Sequence, residues 1–492
     1  MNIILSNMNT ISNFTKEEEE KIKEDLTLIN PKYTSAKRYS KYKRTNIPKY
    51  LHFFKYLDKG HIQVPSGYIP TKANIIEDSR KEVYCDYPKT NFNFKLRGDQ
   101  TDAYNSYLDN PDKGLICLQT GKGKTILGIS IAKELRQKTL VILHKTDLLI
   151  GWKKDIQDFF NNKQQVGIIQ GKKRDIQNIT LAMVQTLNNM SDEELKYYSS
   201  QFGMVIMDEC HHCPSTSYDI INYFSCPYKI GLSATPERKD GLKKVMDFYL
   251  GGMCYQSKIS RQDNDILPFE VIQRVSKLEY TPKVKLINKN GKTQYVVIDN
   301  PDKTCKDITD INYNNRPKVP FTFIEGLVFS KDKTYLEDID REYTEGHSCL
   351  VVCRLKDSCR LIEEELKKLN IKTQILYGDS KEAKDVLLDR ANKDRHLVTV
   401  ATANMVSEGT NCNQWEVLIP VLSVANGKDI EQLIGRVRRL KPNNKLKKAR
   451  VYEYSFPKVY TLNNHIEHRM ARYKKLKAYG LEDNNKFGRG YK

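Results

Sequence analysis

Between residues 115 and 232 the chain carries five short, nearly uninterrupted apolar runs: Leu115-Ile-Cys-Leu118, Thr139-Leu-Val-Ile-Leu143, Ile179-Thr-Leu-Ala-Met183, Met204-Val-Ile-Met207 and Lys229-Ile-Gly-Leu232. A strand that is apolar on both faces is stable only where both are covered, as in a parallel sheet flanked by helices. Helix-like stretches such as Ile126 to Leu135 separate several of the runs. The pattern predicts a doubly wound α/β domain over residues 94–252.

A second block repeats the rhythm. Cys349-Leu-Val-Val-Cys353, Lys372 to Tyr377, Leu397-Val-Thr-Val-Ala401 and Val417-Leu-Ile-Pro-Val-Leu422 read as strands, and Asp357 to Leu369 as an amphipathic helix. They predict a second parallel-sheet domain over 313–460. The intervening 253–312 reads as a strand-rich insertion, with a β-hairpin turning at Asn290-Gly291. Residues 461–492 read as a basic, helical tail with Lys474, Lys475 and Lys477 clustered.

Residues 1–93 differ from the rest. Thr15 to Asp25 is a charge-dense stretch suited to a solvated helix. Bases then alternate with tyrosines through Lys37, Arg38, Tyr39, Lys41, Tyr42, Lys43, Arg44, Lys49 and Tyr50. Such a tract suits nucleic acid, its cations meeting phosphates and its rings stacking on bases. Lys41, Lys43 and Arg44 are the candidate contacts, and an ordinary basic surface is the plainer alternative. His61 to Gly67 reads as a strand entering a turn.

At 492 residues the chain is too long for one core. Its net charge of +20, from 81 Lys and Arg against 61 Asp and Glu, points to a polyanionic partner, unless it reflects coding bias toward lysine. The absence of a long apolar run predicts no transmembrane helix, and the amino terminus lacks a signal-peptide layout. Eleven scattered cysteines argue against a disulfide framework and for an intracellular, reducing compartment. Cys210-His211-His212-Cys213 is half a zinc set, but no second pair stands at finger spacing, so zinc is not expected.

The chemistry concentrates in two segments. Thr120-Gly-Lys-Gly-Lys-Thr125 is a glycine-rich loop leading into a helix. Gly121 and Gly123 would let backbone N–H groups turn toward phosphate oxygens, with Thr120 and Lys122 in the same cradle. Lys124 would reach the β- and γ-phosphates, and the Thr125 hydroxyl would bind magnesium. Asp208 and Glu209 end an apolar strand; Asp208 would hold the magnesium, and Glu209 would orient and deprotonate the attacking water. In the second block, Arg436 and Arg439 stand three apart, as if on one helical face, suited to stabilising charge on the γ-phosphate. In isolation they would read as surface ion-pairing residues.

Taken together, these motifs resemble those of the superfamily 2 helicases and translocases, in the branch that contains XPB and the phage UvsW protein. The resemblance runs in family order over roughly residues 94–440. Phe94-Lys-Leu-Arg97 with Gln100 is similar to the segment whose glutamine reads adenine. Leu118 to Thr125 resembles motif I, and Asp208-Glu-Cys-His211 motif II. Gly231 to Gly241 resembles motif III with the Arg-x-Asp-Gly that follows it. Ala401 to Asn413 resembles motif V, and Gln432-Leu-Ile-Gly-Arg-Val-Arg-Arg439 motif VI. The resemblance implies two RecA-like domains, ATP and Mg2+ as cofactors, and a catalytic set of Lys124, Asp208, Glu209, Gln432, Arg436 and Arg439. Ser233, Thr235, Thr402 and Gly409 would couple hydrolysis to movement, with Ser407 beside them. Leu118 stands where Gly or Ala is usual, Asp99 where an aromatic is common, Cys210 where Ala or another small residue is found, and Asn411 where Asp is common.

The implied activity is ATP-driven movement on, or unwinding of, nucleic acid, DNA before RNA. An RNA helicase or transcript-release translocase is the alternative within enzymes. A non-enzymatic nucleic-acid-binding adaptor is the contrasting class, opposed by the intact Lys124, Asp208, Glu209, Arg436 and Arg439. Replication, recombination or transcription proteins are the expected company. Asn30-Pro31 and Val64-Pro-Ser-Gly67 resemble, more loosely, the accessory domain of phage members. The same core in poxvirus and giant-virus helicases is compatible with a viral source, with action in the host cytoplasm or virion.

Overall fold

The computed structural model describes residues 1–34, 47–58, 60–91, 94–212, 215–235, 242–260, 263, 265–278, 284–289, 292–297, 308–309, 328–329, 331–378, 380, 382–406, 410, 412–421, 427–440, 446–456 and 460–481. It divides into two compact units, Met1–Lys258 and Ile259–Lys492.

The first unit opens with β1 (Asn2–Leu5), β2 (Met8–Ser12), the helix Lys16–Asp25, β3 (Thr27–Ile29), β4 (Tyr50–His52), β5 (Lys55–Asp58), β6 (His61–Pro65) and β7 (Asn74–Asp78). Thr15 and Glu18 close a reciprocal capping box on the helix, which is why so acidic a segment starts there. Five of these strands form a sheet in the order β5-β6-β2-β1-β7, while β3 and β4 pair separately. Ile3, Leu5, Ile11, Ile22, Ile62 and Val64 are buried in the same hydrophobic cluster as Leu115 and Val205 of the larger sheet and Phe248 of the helix Lys243–Leu250. The Gly67 N–H donates to the Phe248 carbonyl over 3.0 Å. A Cβ on Gly67 would stand 2.3 Å from the Gly251 nitrogen, so only glycine allows this approach.

The larger sheet comprises β8 (Leu115–Cys117), β9 (Thr139–Leu143), β10 (Val166–Gln170), β11 (Lys173–Asp175), β12 (Ile179–Met183), β13 (Met204–Asp208), β14 (Tyr228–Ser233) and β15 (Met253–Gln256). Its order is β11-β10-β12-β9-β13-β14-β8-β15. All neighbours are parallel except the β10–β11 hairpin. The five apolar runs read from the sequence are β8, β9, β12, β13 and β14, and β9, β12 and β13 are buried at every position. The helix Lys124–Glu134 follows β8 directly. Because β13, β14 and β8 are neighbours running in parallel, their C-terminal ends deliver three loops to one edge, the usual place for a ligand in an open α/β sheet.

The second unit has an all-parallel sheet in the order β16-β24-β23-β20-β22-β21. Its strands are β16 (Phe269–Val275), β20 (Cys349–Cys353), β21 (Thr373–Leu376), β22 (Val398–Thr402), β23 (Val417–Pro420) and β24 (Ala449–Ser455). The chain thus has the two parallel-sheet α/β units of the RecA-like arrangement. β15 and β16 belong to the two large sheets rather than to a separate insertion. What stands apart is a small sheet of β17 (Val284–Lys289), β18 (Lys292–Val297) and β19 (Ile308–Thr309). β17 and β18 pair as the expected antiparallel hairpin; its Asn290-Gly291 turn lies outside the described residues.

The segment expected to be a basic tail is built into the second unit. Its helix, Tyr460–Lys475, buries Leu462, Ile466 and Tyr473. Arg469 donates to both Glu453 oxygens at 2.6–3.1 Å, and Arg472 pairs with Glu431. Its cations therefore serve the fold as well as the surface.

Candidate active site

The phosphate loop follows β8. Gly121 and Gly123 adopt φ of 91° and 72°. A Cβ on Gly123 would lie 2.4 Å from Gln100 Nε2, so the loop depends on glycine for space as well as for dihedral. Gln100 is buried; its Nε2 donates to the Gly123 carbonyl over 2.9 Å and its Oε1 accepts from the Arg97 N–H over 3.0 Å. Asp99 forms an ion pair with buried Lys122 and accepts from the Tyr255 hydroxyl over 2.8 Å. Lys122 thereby fastens the loop to the helix Gly98–Asp109, and Asp99 takes the place of an aromatic with a charge-paired anchor.

Across the edge, β13 ends in Asp208, and Glu209 takes a left-handed φ of 46°. For a residue with a side chain that conformation is strained, and strain of this kind concentrates at functional sites. The turn separates two adjacent carboxylates. Asp208 Oδ2 accepts from the Trp152 indole N–H over 2.7 Å, while Oδ1 accepts from the Glu209 N–H over 2.9 Å. Glu209 Oε1 lies 3.3 Å from Lys124 Nζ, and its Oε2 lies 3.5 Å from His211 Nδ1. Lys124 and Glu209 thus stand together.

Burial pushes the Asp208 carboxyl up to about 6, the Glu209 charge adds to the rise, and Lys124 and the indole oppose it. A buried carboxylate so poor in positive charge fits a divalent cation, which would restore the ionised form. The hydroxyl-bearing Thr125, a hard oxygen donor, is the second residue of the neighbouring helix.

The third loop follows β14. Ser233 Oγ lies 2.9 Å from His211 Nδ1, donates to the Thr235 carbonyl and accepts the Thr235 N–H over 3.0 Å. His211 therefore connects Glu209 to Ser233 and Thr235 by direct contacts. The Arg238-Lys-Asp-Gly241 stretch lies outside the described residues.

In the second unit, Thr402 ends β22 and is buried; Ser407, Gly409 and Asn411 lie outside the described residues. The helix Gly427–Val437 carries Gln432, half-buried, and Arg436. The sequence reading placed Arg436 and Arg439 on one helix, but the helix ends at Val437 and Arg439 instead bridges to Ile266. The two side chains still converge. Arg436 donates to the carbonyls of Val406 over 3.1 Å and Thr410 over 2.9 Å. Arg439 donates to Thr410 O over 3.2 Å and Asn413 Oδ1 over 2.8 Å. Motifs V and VI are thus clamped within one unit. Between them Arg438 is structural, donating to Leu267 O over 2.7 Å with Phe269 beneath it, and burial lowers it to about 10.

Lys41, Lys43 and Arg44 lie outside the described residues. Trp152, the Asp99–Lys122 pair and the His211–Ser233 contact were not read from the sequence. Trp152 belongs to an amphipathic helix, Thr146–Phe159, and carries no local sign distinguishing it from a core residue.

Known families match this layout. A family model described as "Type III restriction enzyme, res subunit" matches residues 93–238, and one described as "Helicase conserved C-terminal domain" matches 331–441. "Probable helicase D10" of Escherichia phage T5 is 29% identical over 369 residues, covering 74% of this chain and 72% of its own. "DNA 3'-5' translocase XPB2" of Sulfurisphaera tokodaii is 30% identical over 174 residues, 35% of this chain and 38% of its own. The crystal structure of T4 UvsW aligns with 97% of this chain and 98% of its own at 16% identity and a TM-score of 0.40, too loose a superposition to argue from. With its motifs in order on two parallel-sheet units, this chain belongs to the superfamily 2 helicases and is an ATP-hydrolysing helicase or translocase.

Proposed function

We propose that the chain moves on DNA, with ATP hydrolysed at the edge formed by the loops after β8, β13 and β14. The observation that carries this site is the approach of Glu209 Oε1 to Lys124 Nζ at 3.3 Å, beside a buried Asp208. Thr120, Gly121, Lys122 and Gly123 would present the backbone to phosphates, and Gln100 would face the adenine. Thr125 and Asp208 would hold Mg2+, which supplies charge neutralisation on the phosphates. Glu209 takes the proton of the attacking water and orients it for in-line displacement. Lys124 stabilises charge on the leaving phosphates, and Arg436 and Arg439, with Gln432, would do so at the γ-phosphate in the nucleotide-bound state.

His211, Ser233 and Thr235 form the first links by which a change at Glu209 reaches the rest of the protein; Thr402 and Gly409 would carry the response in the second unit. Lys41, Lys43 and Arg44 would add phosphate contacts, salt-sensitive and weakly dependent on sequence. DNA is favoured by the relative named a DNA translocase, and RNA is the second reading, since two viral relatives are named putative ATP-dependent RNA helicases. ATPase rates with no nucleic acid, single-stranded DNA, duplex DNA, branched DNA and RNA distinguish the tracks. Strongest stimulation by a DNA arm is expected; stimulation by RNA alone would replace DNA with RNA in this reading.

A further inference from the structure

The β3–β4 hairpin has an unusual outer face. Its register pairs Thr27 with His52, Leu28 with Leu51 and Ile29 with Tyr50. Side chains alternate across a strand, so Leu28 and Leu51 share one face, and both pack with Phe53 against the core of the first unit. The opposite face meets water and ought to be polar. It carries instead Ile29 and Tyr50, 58% and 43% exposed, beside exposed His52.

The aromatic row continues along the chain. Ring centroids of Tyr50 and His52 lie 6.5 Å apart, and those of His52 and Phe54 5.6 Å apart. The rings are tilted or edge-on to one another, at 45° and 73°, rather than stacked. Lys49 Nζ stands 4.8 Å from the Tyr50 centroid, and Lys55 follows Phe54. No acidic residue occurs between Asp25 and Asp58. The next ring, Tyr56, is already engaged, its hydroxyl bonded to Glu19. Phe54 itself is partly buried and packs against the core of the first unit, so the exposed row ends at His52.

We propose that Ile29, Tyr50 and His52 form a stacking platform for the bases of single-stranded nucleic acid. This rests on the nucleic-acid reading above and gives the amino-terminal region a specific role in it. An exposed row of rings flanked by cations and free of acids matches a ligand that alternates flat π-faces with phosphates. Stacking accepts any base, because every base has a π-face, so the platform grips without reading sequence. A duplex hides those faces, so the platform favours single strands.

The test is equilibrium binding of fluorescein-labelled oligo-dT and of a duplex to the full chain across a salt series, for wild type, Tyr50→Ala with His52→Ala, and Tyr50→Phe. The double variant is expected to lose single-strand affinity by about tenfold per ring removed, with duplex affinity and the slope of log Kd against log salt unchanged. Tyr50→Phe keeps the ring and should bind within about twofold of wild type. ATP turnover without nucleic acid should be unaltered in all three, which shows the variants are folded. A double variant that binds oligo-dT as wild type does overturns the platform alone. A wild-type chain that neither binds nor is stimulated by any nucleic acid overturns the reading beneath it.

Discussion

Two adjacent carboxylates face different partners because Glu209 turns at φ 46° and Asp208 does not. Glu209 faces Lys124 and His211; Asp208 faces inward, held by the Trp152 indole. The same indole packs on the phosphate-loop helix, since a Cβ on Gly128 would meet the Trp152 ring at 3.1 Å. Trp152 is therefore a positioning residue between the two halves of the site. Trp152→Phe keeps an aromatic ring of shorter reach and leaves a buried carboxylate oxygen without its donor. It should raise half-saturating Mg2+ for ATP turnover by about tenfold, as loss of an outer-shell partner does, and cost about 1–3 kcal/mol of stability. A magnesium titration at saturating ATP checks this; lower stability with an unchanged Mg2+ requirement would reduce Trp152 to a core residue. Lys124, Asp208 and Glu209 were legible in the sequence because phosphate and metal chemistry demands these residue types in fixed local order. Trp152 and Asp99 were not, because their partners arrive from other elements of the fold.

At the level of elements, apolar periodicity identified β8, β9, β12, β13 and β14 because strands buried on both faces leave little room for polar residues. It missed β24, whose sequence Ala-Arg-Val-Tyr-Glu-Tyr-Ser mixes charges into a buried strand. Those charges are paired: Arg450 donates to Glu342 over 2.9 Å, and Glu453 accepts from Arg469 and from Tyr473. Buried ion pairs erase the apolar signature without making the strand solvent-exposed. β14 holds a related case. Lys229 is buried and donates to Ser66 Oγ over 2.8 Å, joining β14 to the turn after β6. Burial lowers its ammonium from 10.5 to about 8, with Cys226 opposing and Arg80 adding to the fall. Between these values the unfolded chain holds the proton and the folded one does not, so stability rises with pH across that window and is lost as pH falls through about 8. Lys229→Met should flatten that dependence and raise the melting temperature at pH 7 by roughly a few degrees. Thermal unfolding between pH 7 and 10 reads both; a lower Tm at pH 7 would mean that the Ser66 bond outweighs the desolvation of the charge.

Across the whole molecule, the two parallel-sheet units and the order of their motifs were legible, because each unit repeats one local rhythm. The merging of the amino-terminal sheet with the first unit was not, since Gly67 meets Gly251 and Phe53 meets Phe248 only in three dimensions. Nor was the docking of the basic carboxyl-terminal helix, whose anchor is Tyr473 rather than its lysines. A net charge of +20 and an ATP site of this geometry have a joint consequence: hydrolysis should answer to a polyanion. The most direct test is ATP turnover with and without single-stranded DNA, for wild type, Lys124→Ala and Glu209→Gln, with nucleotide binding measured in parallel. Stimulation in wild type, a fall of about 10²–10⁴-fold in Glu209→Gln with ATP still bound, and loss of turnover in Lys124→Ala are predicted. Normal turnover in either variant would contradict the assigned site.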